Sequence, residues 1–155
     1  MNQIACLHIY GDGPERSKLE QLAASNEVTK TSVRFHGLIS HDKVADIMAN
    51  SDIFAMVSTG ETFGLVYLEA MASGDIVIAS RHEGIDGIVI DGKNGFIVDP
   101  NNLDELVQCM KNIFNLNDTD YTEISRNANL TAMEFTEEKM GRKYLSMISS
   151  QIRYW

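Results

Sequence analysis

The sequence is short of the residues that build stapled or extended architectures. It has two cysteines, Cys6 and Cys109, and two prolines in 155 residues. Two isolated thiols, one in a strand-like run and one in a helix-like period, have no metal-ligand spacing and exclude a disulfide scaffold. They point to a reducing, cytosolic setting. Basic residues are scarce as well: thirteen Lys plus Arg against twenty-two Asp plus Glu leave a formal net charge of −9. Without a basic block the chain is a poor partner for nucleic acid, where phosphate contacts supply most of the affinity. No apolar run is long enough to cross a bilayer, and MNQIACLHIYGDG lacks the charged start and apolar stretch of a signal peptide. The sequon Asn129-Leu130-Thr131 therefore carries little weight. His8, His36, His41 and His82 form no cluster in sequence, and no metal site is expected.

What is present is ordinary for a globular chain: 44% hydrophobic and 23% charged residues, which suit one domain over residues 1–155. Apolar runs alternate with helical periods. IACLHIY (4–10) stops at Gly11-Asp12-Gly13-Pro14, and Pro14 is placed to open a helix ending near Ser25. VRFHG is a short strand, after which Ser40 or Asp42 caps a helix carrying Val44, Ile47 and Met48. DIFAMV (52–57) is an unbroken apolar strand, followed by a helix that begins at Gly64 and stops at Gly74. IVIAS (76–80), the glycine-rich RHEGIDG and GFIV (95–98) come next. From Leu103, the residues Leu106, Val107, Met110, Ile113 and Phe114 keep the helical period, with Asn102 and Glu105 spaced as a capping box. From Asp118 the tail reads as two helices broken near Phe135-Thr136.

Apolar strands alternating with helices predict an α/β fold: a doubly wound, Rossmann-like parallel sheet covered on both faces. In such sheets ligands lie at the carboxyl ends of the strands. Three loops are then candidates: Gly11 to Pro14, Ser58 to Gly64, and Arg81 to Gly87. GDGPER fails as a dinucleotide fingerprint, because Arg16 stands at the third glycine and His36-Gly37 where an acidic residue would close the next strand. Its glycines either make a tight turn or, through Gly13, let a ligand approach the backbone.

STGETFGLVYLEAMASG is more informative. The helix after Gly64 is apolar nearly all round, which predicts burial, yet Glu69 sits in its middle. The free N–H groups of its first turn suit an anion. Glu61 precedes it and Glu69 lies roughly 7–8 Å beyond Gly64 at 1.5 Å per residue. Ionised carboxylates accept hydrogen bonds from hydroxyls and repel phosphate. An anion site between two carboxylates therefore fits a ligand built as hydroxyls, diphosphate, hydroxyls, as in a nucleotide sugar. Two simpler explanations remain: Glu61 as a favourable charge at a helix N-terminus, and Glu69 as a buried acid paired with a distant Lys or Arg.

ETFGLVYLEAMASG, with Glu61 and Glu69 separated by seven residues, resembles the signature of the retaining glycosyltransferases of two-Rossmann (GT-B) architecture, the glycosyl transferases group 1. YGDGPERSKLE, VRFHGLI, SDIFAMVSTGETFG, IVIAS and DGKNGFIVDP follow the order of that family. The resemblance is close from about Leu7 to Val98 and looser beyond. It implies that the chain is the C-terminal, donor-binding half of such an enzyme, with a nucleoside-diphosphate sugar as donor substrate and no cofactor. Glu69 would hold the ribose hydroxyls, and Glu61 would meet the transferred sugar as the catalytic glutamate. Phe63, Gly64 and Leu65 would offer backbone N–H groups to the diphosphate and sugar, Leu38 would flank the base, and Gly11 and Gly13 complete the nucleotide-sugar-binding residues.

Three departures bear on this. Ile76 stands where the family usually has proline, and Asp86-Gly87 where many members have Pro-Glu. The N-terminal acceptor domain and the first strand–helix unit, with the Arg and Lys that neutralise the diphosphate, are expected to be missing; Arg81 and His82, at the carboxyl end of a strand, are the nearest substitutes, although the simpler expectation for Arg81 is an unpaired surface arginine. The last helix, around Tyr144 to Trp155, would then lack its partner. The intact enzyme would act in polysaccharide or glycolipid synthesis, cytoplasmic and peripheral to the inner membrane face. Asp118-Thr119-Asp120 is a chance match to a metal-binding DxD motif. The rival readings are a non-catalytic binding or assembly module on the same scaffold, and a dinucleotide-dependent enzyme.

Overall fold

The structure, a computed structural model, describes residues 5–136, 138–140 and 142. The chain packs as two compact units, one up to Val44 and one from Ala45 onward. The expectation for Tyr144 to Trp155, and most of the second tail helix, lie outside the described residues.

The first unit holds β1 (Leu7–Tyr10), α1 (Arg16–Ala24), α2 (Glu27–Ser32) and β2 (Val33–Gly37). β1 and β2 pair in parallel, Leu7 opposite Val33 and His8 opposite Arg34, with a slip between Ile9 and Tyr10. A parallel pair needs a crossover, and the two helices supply it. The first helix starts two residues after Pro14. α2 was not expected from the sequence; Asn26 caps it by accepting from the Val28 N–H at 2.8 Å. Neither helix has a buried residue. A 3-10 turn, His41–Lys43, leads into α3 (Val44–Met48), where the second unit begins.

The second unit contains β3 (Ile53–Met56), α4 (Leu65–Ser73), β4 (Ile76–Ser80), β5 (Phe96–Val98), α5 (Leu103–Phe114) and α6 (Asp118–Ala132). The strands form a parallel sheet in the order β3-β4-β5. β4 is central, and all five of its residues are buried. Its side chains alternate between the two faces. Ile76 and Ile78 join Cys109 and Ile113 of α5 and Ile124 of α6 in one core, against which Ile53 and Phe96 pack. On the alternate face Phe54 meets Tyr67 of α4 edge-on, ring centroids 5.7 Å apart at 87°. Helices thus cover both faces, as expected for an unbroken apolar strand such as IVIAS. Side chains of α6 tie it to the end of α4, Ser125 Oγ donating to Gly74 O at 2.6 Å and Asn129 Nδ2 to Ala72 O at 2.6 Å.

The capping box predicted for α5 forms by half. Asn102 Oδ1 accepts from the Glu105 N–H at 3.1 Å, but the Glu105 carboxylate turns away to Arg81 at 2.6 Å and to the Asp99 N–H at 3.3 Å.

Candidate functional site

The loops after β3 and β4 leave the carboxyl ends of neighbouring strands, and the structure brings them together. Gly64 turns the first of them into α4. It adopts φ +71°, a left-handed conformation, and a β-carbon there would stand 2.5 Å from the Tyr67 ring. Only glycine meets both conditions. Beneath it Tyr67 is fully buried, its hydroxyl donating to the Met56 carbonyl at the end of β3. Burial, more than any other influence, raises the Tyr67 pKa above its usual value, so the hydroxyl remains a donor at neutral pH.

At the head of α4 one carboxylate oxygen gathers the backbone amides. Glu61 Oε1 accepts from the Gly64 N–H at 3.1 Å and, in a longer contact, from the Phe63 N–H at 3.4 Å. A carboxylate supplied by the chain itself thus occupies the two amides that lead into α4, those of Phe63 and of the N-cap Gly64, at the end where the helix dipole favours a negative group.

The loop after β4 holds this arrangement from the side. The Glu83 carboxylate accepts from the Gly60 N–H at 2.9 Å and from the Glu61 N–H at 2.7 Å. The Gly84 N–H donates to the Glu61 carbonyl at 3.1 Å. A β-carbon on Gly84 would fall on the Thr62 carbonyl and lie 2.7 Å from Phe63 Cα. Glycine 84 is thus required by the approach of two backbones. Sequence reasoning marked this segment as glycine-rich but did not single out Glu83 or Gly84. An acidic residue beside a glycine at a strand's carboxyl end was the only available signal.

Two expectations are corrected. α4 is not enclosed on every side: Tyr67, Leu68, Ala70 and Met71 are buried, whereas Val66 and Glu69 are half-buried and Leu65, Ala72 and Ser73 are exposed. Leu65, at 65% exposure, and Glu69 are four residues apart and share a face. The exposed strip was hidden because leucine and alanine occupy much of it. Arg81, in turn, is not an unpaired surface arginine. Its Nη2 lies 2.6 Å from Glu105 Oε1, and this bond is the main reason its pKa is raised. Its charge is thereby committed to the start of α5. His82 has φ +64°, and its N–H donates to Asp86 Oδ2 at 2.7 Å while its ring remains exposed.

The remaining predicted residues belong to the first unit. The Gly11 N–H donates to Gly37 O at 2.8 Å, closing the ends of β1 and β2, and the Gly13 N–H donates to Asp12 Oδ1 at 2.8 Å. Leu38 follows β2 with 80% of its surface exposed. Among the described residues no group of three or more His, Cys, Asp or Glu side chains could hold a metal. Nor is any helix among them long and apolar enough to cross a membrane.

The model of the family described as "Glycosyl transferases group 1" matches residues 1–131. The chain belongs to this family. It is 35% identical over 159 aligned residues to the sulfoquinovosyl transferase SQD2 of Arabidopsis thaliana, covering 97% of this chain and 29% of that protein. It is 31% identical over 145 residues to the lipopolysaccharide core biosynthesis glycosyltransferase LpsE of Rhizobium meliloti (strain 1021), covering 94% of this chain and 42% of that one. The chain therefore spans well under half the length of these curated relatives. Among solved structures, Anabaena Alr3699/HepE in complex with UDP-glucose superposes with a TM-score of 0.76 at 24% identity, over 94% of this chain and 41% of that chain. This likeness shows that the α/β fold of the chain is shared with the corresponding part of that protein.

Proposed function

We propose that this chain is the donor-binding part of a retaining glycosyltransferase that moves a sugar from a nucleoside-diphosphate sugar to an acceptor. The observation that carries the reading is the anion already held at the head of α4, where Glu61 Oε1 receives the Gly64 and Phe63 amides. A donor phosphate or a sugar hydroxyl would take this place, with Glu61 turning to the transferred sugar as the catalytic glutamate. The Leu65 amide extends the same row. Glu69, half-buried on the exposed strip of α4, accepts from the paired ribose hydroxyls. For the first unit the reading assigns Leu38 to the base and the Gly11 and Gly13 backbones to nucleotide-sugar binding, on the family resemblance alone.

Chemically, the amides and dipole of α4 stabilise the leaving diphosphate as charge develops on it. The acceptor hydroxyl attacks on the face the leaving group vacates, so the anomeric configuration is kept. No cofactor is needed, and the acceptor-binding domain of the intact enzyme is the partner. The name of LpsE, a lipopolysaccharide core biosynthesis glycosyltransferase, supports glycolipid or polysaccharide synthesis; the cytoplasmic face of a membrane is assigned on the family resemblance alone.

The test is an NMR titration of the chain with UDP, GDP and ADP and their glucose conjugates, repeated on Glu69→Ala. Shifts confined to Gly64, Leu65 and Glu69 and abolished by the substitution are expected, and they would identify the base. Absence of localised shifts with every nucleotide would mean either that basic side chains from elsewhere in the intact enzyme are indispensable for affinity or that the chain is a non-catalytic binding module, and the same titration of the intact enzyme decides between them.

A further inference from the structure

The donor reading leaves one carboxylate of the site without a part. Glu83 accepts from two consecutive backbone amides of the facing loop, one on each oxygen, at 2.9 Å from Gly60 and 2.7 Å from Glu61. The following residue returns a bond at 3.1 Å to the Glu61 carbonyl and lies against the Thr62 and Phe63 backbone. The backbone N–H and C=O of Glu61 are both bound, and both by the loop after β4. The two N–H groups belong to successive peptide units, so one carboxylate holds the Gly60 backbone between them in a fixed orientation, which a single bond does not. The direction in which the Glu61 side chain leaves the backbone is set by the two peptide units that flank it, and the loop after β4 binds one through the Glu61 N–H and the other through the Glu61 carbonyl.

Charge argues for the same role. Glu61 and Glu69 already give the site negative charge, and another carboxylate beside them works against holding a phosphorylated ligand. What Glu83 contributes to such a site is therefore orientation.

We propose that Glu83 is a positioning residue that clasps the Gly60–Glu61 backbone and so aims the Glu61 carboxylate at the sugar half of the donor. The proposal rests on the donor reading above. It makes a distinction that a purely structural role would not. Loss of the clasp disturbs the contact with the sugar, through Glu61, and spares the contact with the ribose, through Glu69 on α4.

The experiment compares the wild-type chain with Glu83→Gln and Glu83→Asp by NMR, using whichever of UDP, GDP or ADP binds and the glucose conjugate of that nucleotide. Glu83→Gln opposes an amide NH2 to a backbone N–H; Glu83→Asp keeps the charge but shortens the arm. Both variants are expected to speed hydrogen exchange at Gly60 and Glu61. Both should raise the Kd for the nucleotide sugar at least fivefold while changing that for the nucleotide less than twofold. An equal rise for both ligands, or no rise for either, would overturn the proposal while leaving the donor reading in place. Where the chain alone binds no nucleotide, the same comparison is made on the intact enzyme with its basic side chains, and an intact enzyme that binds none would remove the donor reading and this proposal with it.

Discussion

Asp75 offers a test of the core that is independent of the site. It stands between the end of α4 and the start of β4 with 1% of its surface exposed, and neither carboxylate oxygen has a hydrogen-bond partner among the described residues. Removal from water, reinforced by the negative charge of Asp52, raises its pKa from 3.8 to about 7. In the unfolded chain the group ionises near its ordinary value, so between the two values the folded protein binds a proton that the unfolded chain has released. Stability therefore falls as pH rises through this window, is highest on its acid side, and levels off once the buried group has ionised. A rise of about 3 units at 1.36 kcal/mol each sets a ceiling of about 4 kcal/mol. Relaxation and water entry on charging would lower the loss to about 2. Urea unfolding followed by far-UV circular dichroism at pH 5, 6, 7 and 8.5 would measure it. Asp75→Asn carries a neutral amide of nearly the same shape at every pH, and the histidines titrate equally in both proteins. The wild type should already be less stable than the variant by about 1–2 kcal/mol at pH 5, where the unfolded chain has released its proton, and by about 2–4 kcal/mol at pH 8.5. Parallel stability curves would refute the argument, since they would mean that Asp75 ionises in the folded protein as it does in water.

Two further predictions concern the joined loops. Gly84→Ala should cost at least about 2 kcal/mol, because its methyl meets backbone and not a side chain that can turn aside; Gly13→Ala, where a β-carbon has nothing within 4 Å, should stay within about 0.5 kcal/mol in the same urea titration. Glu61→Gln should leave nucleotide affinity equal or improved, since an amide oxygen competes less strongly than a carboxylate for the Phe63 and Gly64 amides. It should also remove whatever affinity the sugar adds, and a uniform loss for nucleotide and nucleotide sugar, read by the same NMR titration, would contradict the exchange of Glu61 for the ligand.

These features differ in how far the chain displays them locally. The order and type of most elements are legible because they rest on short-range rules: the period of Leu106, Met110 and Ile113, the αL-prone glycines at either end of α4, the unbroken run IVIAS. α2 was missed because EVTKTS is polar and rich in β-branched residues, and its burial is slight. The half-burial of Glu69 was missed because the exposed strip of α4 includes Leu65 and Ala72, which hydropathy assigns to the interior. The partners of Glu105 and Glu83 depend on contacts across twenty or more residues, and no spacing rule reports which side chain or backbone amide an acidic residue will meet.

The same long-range contacts explain how an acidic chain can offer a place to an anion. Arg81 is committed to Glu105, so the second-unit loops rely on backbone amides in place of a cationic side chain. Those amides are occupied by the chain's own carboxylates, Glu83 on Gly60 and Glu61, and Glu61 on Phe63 and Gly64. The two carboxylates differ in what holds them. Glu83 has an oxygen on each of two strong donors, whereas Glu61 has one good bond and one long one, both to a single oxygen. Of the two, Glu61 costs less to displace, and the amides it would free, Phe63 and the N-cap Gly64, lead directly into α4 at the favourable end of its dipole. On the donor reading, a phosphate arriving there exchanges one anion for another, and its affinity is the difference between two anions at one helix N-terminus. That difference is small unless a cationic side chain from elsewhere in the intact enzyme adds to it.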